Sequence, residues 1–91
     1  PEGGTADMAI ERDDVRTVEV SRDGKYLLDR KPMTLVQLEA ALIVAHQKNP
    51  DTIVYIRADQ HGFNKDLYAV IDACQRNGLT KFSLRTREGN Q

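Results

Sequence analysis

Residues 53–86 constrain this chain more than any other stretch. Ile53-Val54-Tyr55-Ile56 is an apolar run that closes on Arg57-Ala58-Asp59, the pattern of a buried strand. Helix-like sequence follows: Leu67, Val70, Ile71 and Cys74 recur at three- and four-residue steps, which places them on one helical face. Gly78, in Asn77-Gly78-Leu79, falls where a helix C-cap requires a positive φ. Phe82-Ser83-Leu84-Arg85-Thr86 then resumes a β-rich pattern. The result is a strand–helix–strand unit with very short connections, and such a unit lays its helix against one face of a sheet.

The upstream half completes that sheet. Val15 to Val20 is rich in β-branched residues, and Val18 and Val20 share a face. Asp23-Gly24 is a tight-turn signal, and Lys25 to Leu28 returns as the hairpin partner. Thr34 is a good N-cap, Gln37 completes a capping box, and Met33 can pack on Leu38 as a hydrophobic staple. That helix runs to about Lys48, where Asn49-Pro50 stops it. Leu35, Leu38, Leu42 and Ala45 form its stripe, but Val36, Ile43 and Val44 lie outside it. A helix apolar on most sides needs more than one partner surface. It is either wedged between sheet and loops or held in a subunit contact. In the second helix Asn64 is the expected N-cap, Phe63 and Tyr68 a staple, and Asp72–Arg76 an i,i+4 ion pair. Leu42, Leu67, Val70 and Ile71 are expected to be buried. The predicted fold is a two-layer α/β sandwich of the α+β kind. Its small mixed β-sheet follows the order β-β-α-β-α-β, with two helices on one face.

Composition excludes several functions. The 91 residues make one domain, and the net charge of −1, with no basic stripe interleaved with aromatics, argues against nucleic acid. No run of 18 apolar residues could span a membrane. A start at Pro1-Glu2-Gly3-Gly4, without an initiator Met, reads as a processed or excised chain, from which targeting or anchoring segments could have been removed. Cys74 cannot form an internal disulfide and reads as a small core residue. His46 and His61 lack Cys or Glu at metal-ligand spacing, and Glu39 and His46, two turns apart, are too far apart for one ion. Nucleophile-elbow, phosphate-loop and dinucleotide motifs are absent from the sequence. Asp59, followed by Gln60-His61-Gly62, could be read as half of an acid–base pair. The favoured reading is a loop cap that accepts backbone N–H bonds. No catalytic residue, cofactor or metal is therefore expected, and the residues describe a binding or scaffolding domain rather than an enzyme.

Five weak signals in order carry a resemblance. They are Asp51-Thr52-Ile53-Val54-Tyr55-Ile56-Arg57-Ala58-Asp59, Val70-Ile71-Asp72, Asn77-Gly78-Leu79 through Thr86, the Val15–Leu28 hairpin, and the Leu35–Lys48 helix before Asn49-Pro50. Together, over roughly residues 15–86, they resemble the periplasmic domain of the ExbD/TolR biopolymer-transport family. Arg57, Asp59, Asp72 and Gly78 are the motif positions. The family often has Val-Pro-Tyr where this chain has Gly62-Phe63-Asn64, which puts in doubt any role tied to that Tyr. The resemblance implies a single-pass inner-membrane protein of a Gram-negative bacterium. Its proton-responsive Asp would lie in a transmembrane helix upstream of Pro1. It would pair as a homodimer within an ExbB/TolQ-like channel and drive an energy-transducing partner similar to TonB or TolA. On this reading residues 1–14 are a flexible linker, with a short strand at 8–12, residues 15–86 are the domain, and 87–91 are a polar tail.

A sheet of few strands leaves edge N–H and C=O groups open to another extended chain. Lys81, Arg85 and Arg87, around Phe82-Ser83-Leu84, look like charge guards on such an edge. Met8 and Ile10 lie in an extended, partly apolar segment able to pair there, in competition with a partner strand. Two alternatives stand beside this reading: residues 1–12 are simply disordered, or the domain binds a small molecule.

Overall fold

A computed structural model describes residues 15–62 and 64–87. Its strands are β1 (Val15–Val20), β2 (Tyr26–Leu28), β3 (Lys31–Met33), β4 (Ile53–Asp59) and β5 (Phe82–Arg87), and its helices are α1 (Leu35–Lys48) and α2 (Asn64–Arg76). The sheet order is β3-β2-β1-β4-β5. β1, β4 and β5 run parallel, while β2 and β3 are antiparallel to their neighbours, so the sheet is mixed as expected. Both helices share one core with a single sheet face. Val18, Val20, Tyr26, Leu28, Val54, Ile56 and Ala58 from the strands meet Leu38, Leu42, Val70 and Cys74 from the helices.

The local signals explain the connections. Gly24 sits at φ 84°. Its N–H donates to the Ser21 carbonyl at 3.0 Å, while the Ser21 N–H donates to Lys25 at 2.9 Å, closing the β1–β2 hairpin. Thr34 and Gln37 form both halves of the capping box on α1. Thr52 is buried and its hydroxyl donates to the Asn49 carbonyl at 2.7 Å, tying the chain back to the end of α1. Gly78, at φ 77°, ends α2: its N–H donates to Gln75 and the Leu79 N–H donates to Cys74. That bond pair is a Schellman motif, and buried Leu79 supplies its apolar contact.

Five expectations change. First, β3 was not anticipated; the order is β-β-β-α-β-α-β, because Asp29 and Arg30 both take positive φ (49° and 72°) in a two-residue turn without the Asn-Gly signature. Second, the Ile53–Ile56 run is buried on one face only: Val54 and Ile56 are sealed, while Ile53 is 38% exposed on a sheet face that no helix covers. Third, Leu67 and Ile71 only border the core, because Val70, Ala73 and Cys74 occupy the centre of the α2 stripe. Fourth, Asn64 is the first residue of α2 rather than its cap, and Tyr68 of the expected staple is exposed; Phe63, its other half, lies outside the described residues. Fifth, α1 is not wedged on all sides, since Val36 is 77% and Val44 47% exposed. β5 also continues through Arg87, the first residue of the stretch read as a tail.

Candidate functional site

β5 pairs with β4 alone among the described residues and forms one edge of the sheet. The Val54 N–H donates to the Lys81 carbonyl at 2.9 Å, and Lys81 Nζ meets the Asp51 carboxylate at 2.9 Å, so the entry to the strand is anchored to β4. Strand alternation then divides the side chains. Phe82 and Leu84 stand opposite Val54 and Ile56 on the helix-covered face. Phe82 packs against the core, while Leu84 remains 47% exposed. Ser83 and Arg85 stand opposite Tyr55 and Arg57 on the open face, both exposed. The edge thus offers one apolar and one cationic side chain in alternate directions around an accessible backbone.

Of the residues singled out from sequence, Lys81, Phe82, Ser83, Leu84 and Arg85 are contiguous on this edge, and Arg57 lies beside Arg85 in register. Asp59 follows on β4, where its Oδ1 accepts the His61 backbone N–H at 2.8 Å. That is the loop-cap role; the His61 ring nitrogen contacts the Gln60 amide instead, at 3.2 Å. Asp72 and Gly78 belong to the helical layer. Asp72 pairs with Arg76 and Gly78 closes α2. Met8 and Ile10 lie outside the described residues.

Sequence reasoning missed a polar clasp between the helices. Glu39 of α1 accepts from Arg76 at 2.9 Å and from the Asn77 side chain at 2.8 Å. These bonds, Arg76 first, hold the Glu39 carboxyl below its ordinary value. The partners are far apart in sequence, so only the packing of α1 on α2 reveals them. Burial, with Glu39 a secondary cause, pushes the Cys74 thiol up to about 11, so it stays protonated as a core residue. Among the described residues no group of three or more His, Cys, Asp and Glu side chains is placed to hold a metal ion.

Two concave features lie away from β5. A groove of 540 Å³ lies beside β3 and the start of α1, lined by Tyr26, Pro32, Met33 and Leu35 among others. A smaller depression of 340 Å³ on the open sheet face is lined by Thr17, Glu19, Asp29, Arg30, Tyr55 and Arg57.

A family model described as Biopolymer transport protein ExbD/TolR matches residues 1–89. No curated protein matches the chain.

Proposed function

Because this chain belongs to the ExbD/TolR family of biopolymer transport proteins, we propose that it is the periplasmic, partner-binding domain of an energy-transducing inner-membrane complex. In this reading a single transmembrane helix, outside residues 1–91, carries the proton-responsive Asp and sits in an ExbB/TolQ-like channel of a Gram-negative bacterium. Proton flow then drives work on a TonB- or TolA-like partner, for outer-membrane transport or envelope maintenance. The domain itself does no covalent chemistry. Residues 1–14 serve as linker, 15–86 as the folded unit and 87–91 as a tail. An upstream gene sequence encoding about 20 apolar residues with one Asp would support this placement. A hydrophilic upstream region would sink it.

The observation that carries the partner-binding reading is the β5 edge. Its outer backbone groups have no strand neighbour among the described residues, and Leu84 and Arg85 give alternate side-chain selectivity. An extended segment of the energy-transducing partner adds here as a further strand, and the Met8–Arg12 segment of the arm competes for the same edge. The test is amide exchange along Lys81–Arg85 on adding a partner-derived peptide. Protection should rise, and deleting residues 1–12 should tighten binding. Unchanged protection at this edge overturns the reading.

Homodimer formation is supported by the exposed Val36 and Val44 on α1. The contact is weak in isolation and is strengthened by membrane tethering, which raises effective concentration. Sedimentation at millimolar protein should show dimer. The alternative, small-molecule binding, is favoured by the groove beside β3. It predicts that a metabolite library shifts Tyr26 and Met33 resonances, whereas a partner peptide shifts β5.

A further inference from the structure

The open face of the sheet carries cations that the fold leaves unmatched. Arg16 pairs with Asp29, Arg22 approaches Asp59, and Arg76 bridges Asp72 and Glu39. The guanidinium groups of Arg30, Arg57 and Arg85 have no ionic or hydrogen-bond partner among the described residues. All three belong to one surface. Arg57 and Arg85 are direct cross-strand neighbours, and Arg30 and Arg57 line the same depression with Tyr55 and Thr17.

Two features of this arrangement cost stability. Like charges directly opposite on adjacent strands repel. Arg30 takes φ 72°, a left-handed conformation in which glycine is easier and an arginine is strained. A chain of net charge −1 thus concentrates unpaired positive charge on the one sheet face that neither helix covers. Of the carboxylates on that face, two are already engaged: Asp29 pairs with Arg16, and Asp59 with the His61 N–H and Arg22. Glu19 stands opposite Arg57 in register without pairing with it.

We propose that this face is a docking surface for an extended acidic segment of a partner protein, its carboxylates received by Arg30, Arg57 and Arg85. The spacing argues for a chain rather than a single small anion. Arg30 leaves the β2–β3 turn and Arg85 lies on β5, with β1 and β4 between them. Three strand spacings span about 14 Å, beyond the reach of one phosphate or carboxylate but matched by a few extended residues bearing several. The Tyr55 ring, half-buried between the cations, gives such a segment a platform. This surface is distinct from the β5 backbone edge and does not depend on strand addition there.

The test is titration of the isotope-labelled 91-residue chain with an octaglutamate peptide at low ionic strength, following arginine side-chain N–H resonances. Arg30, Arg57 and Arg85 should shift together, while the paired Arg16 and Arg76 stay in place. The Arg57→Gln/Arg85→Gln double variant should lose roughly tenfold in affinity while melting no earlier than the parent. Arg30→Gly should also bind more weakly while relieving the strained turn. Glu19→Gln should bind about threefold tighter, a gain that a general loss of fold cannot mimic. Wild-type affinity in the double variant overturns the proposal, as do shifts spread over all arginines. Shifts produced only by phosphatidylglycerol vesicles or only by inorganic phosphate overturn it too, in favour of a lipid surface or a single anion.

Discussion

Helix α1 carries two charged residues in fourteen, Glu39 and Lys48, whereas α2 carries four in thirteen, Lys65, Asp66, Asp72 and Arg76. Both cover the same sheet face, yet their outer surfaces differ. The outer face of α2 is polar apart from Tyr68, an aromatic with a hydroxyl of its own to offer water. The outer face of α1 leaves Val36 and Val44 exposed although Leu38, Leu42 and Ala45 already satisfy the core. Packing within one chain accounts for the composition of α2 but not for that of α1. Their ends differ as well. α1 is fixed at its start by a side-chain capping box, and α2 at its finish by a backbone Schellman closure at Gly78.

The largest effects should separate buried from bordering positions. Leu42→Ala on α1, at 1% exposure, should cost about 3 kcal/mol in urea melting, and Ile71→Ala on α2 only about 1 kcal/mol, since Ile71 merely borders the core. Equal losses would mean that the α2 stripe is centred differently. Next come the caps. Gly78→Ala must hold φ 77° with a Cβ, and Thr34→Ala loses one half of the capping box; each should cost about 1 kcal/mol, read by thermal melting. A silent Thr34→Ala would show that α1 needs no cap once packed.

The clasp between the helices gives a pH signature. Glu39 is held below its ordinary value of 4.5, chiefly by the Arg76 hydrogen bond. A depressed carboxylate contributes stability above its unfolded pKa and loses it as pH falls through the folded one. The stability gap between parent and Glu39→Gln should therefore be full at neutral pH, shrink below about 4.5 and vanish in stronger acid. A gap that persists there would assign the effect to packing. The smallest change in stability, within about 0.5 kcal/mol, is expected for Val36→Glu. The same substitution should abolish any dimer seen by sedimentation, and a dimer that survives it is not built on the outer face of α1.

Much of this was legible because local chemistry and tertiary context agreed. Thr34 with Gln37, Asp23-Gly24 and Gly78 are short-range signals whose geometry is complete within a few residues, and each stands where the sequence puts it. The strand–helix–strand unit followed from period alone, and Lys81 and Arg85 marked their strand as an edge by flanking charge, whereas its position beside β4 at the end of the sheet comes from the fold. β3 escaped because three residues around Pro32 give no periodicity and the turn before it uses Asp29-Arg30, which sequence preference disfavours there. What holds that turn is distant: Asp29 accepts the Thr17 N–H at 3.1 Å and its own N–H donates to the Thr17 carbonyl at 2.8 Å. The Arg57–Arg85 juxtaposition was hidden for the same reason, since strand register sets it and no spacing along the chain records it.

Pro32 has one more consequence. It occupies the middle of β3, the border of the sheet opposite β5, and a proline there has no N–H to offer a newcomer. Copies joined head to tail, β5 of one on β3 of the next, would repeat without closing and grow into a fibre. A three-residue border interrupted by proline denies that growth its second attachment point. The domain can therefore expose β5 even at high local concentration and still be poor material for a filament.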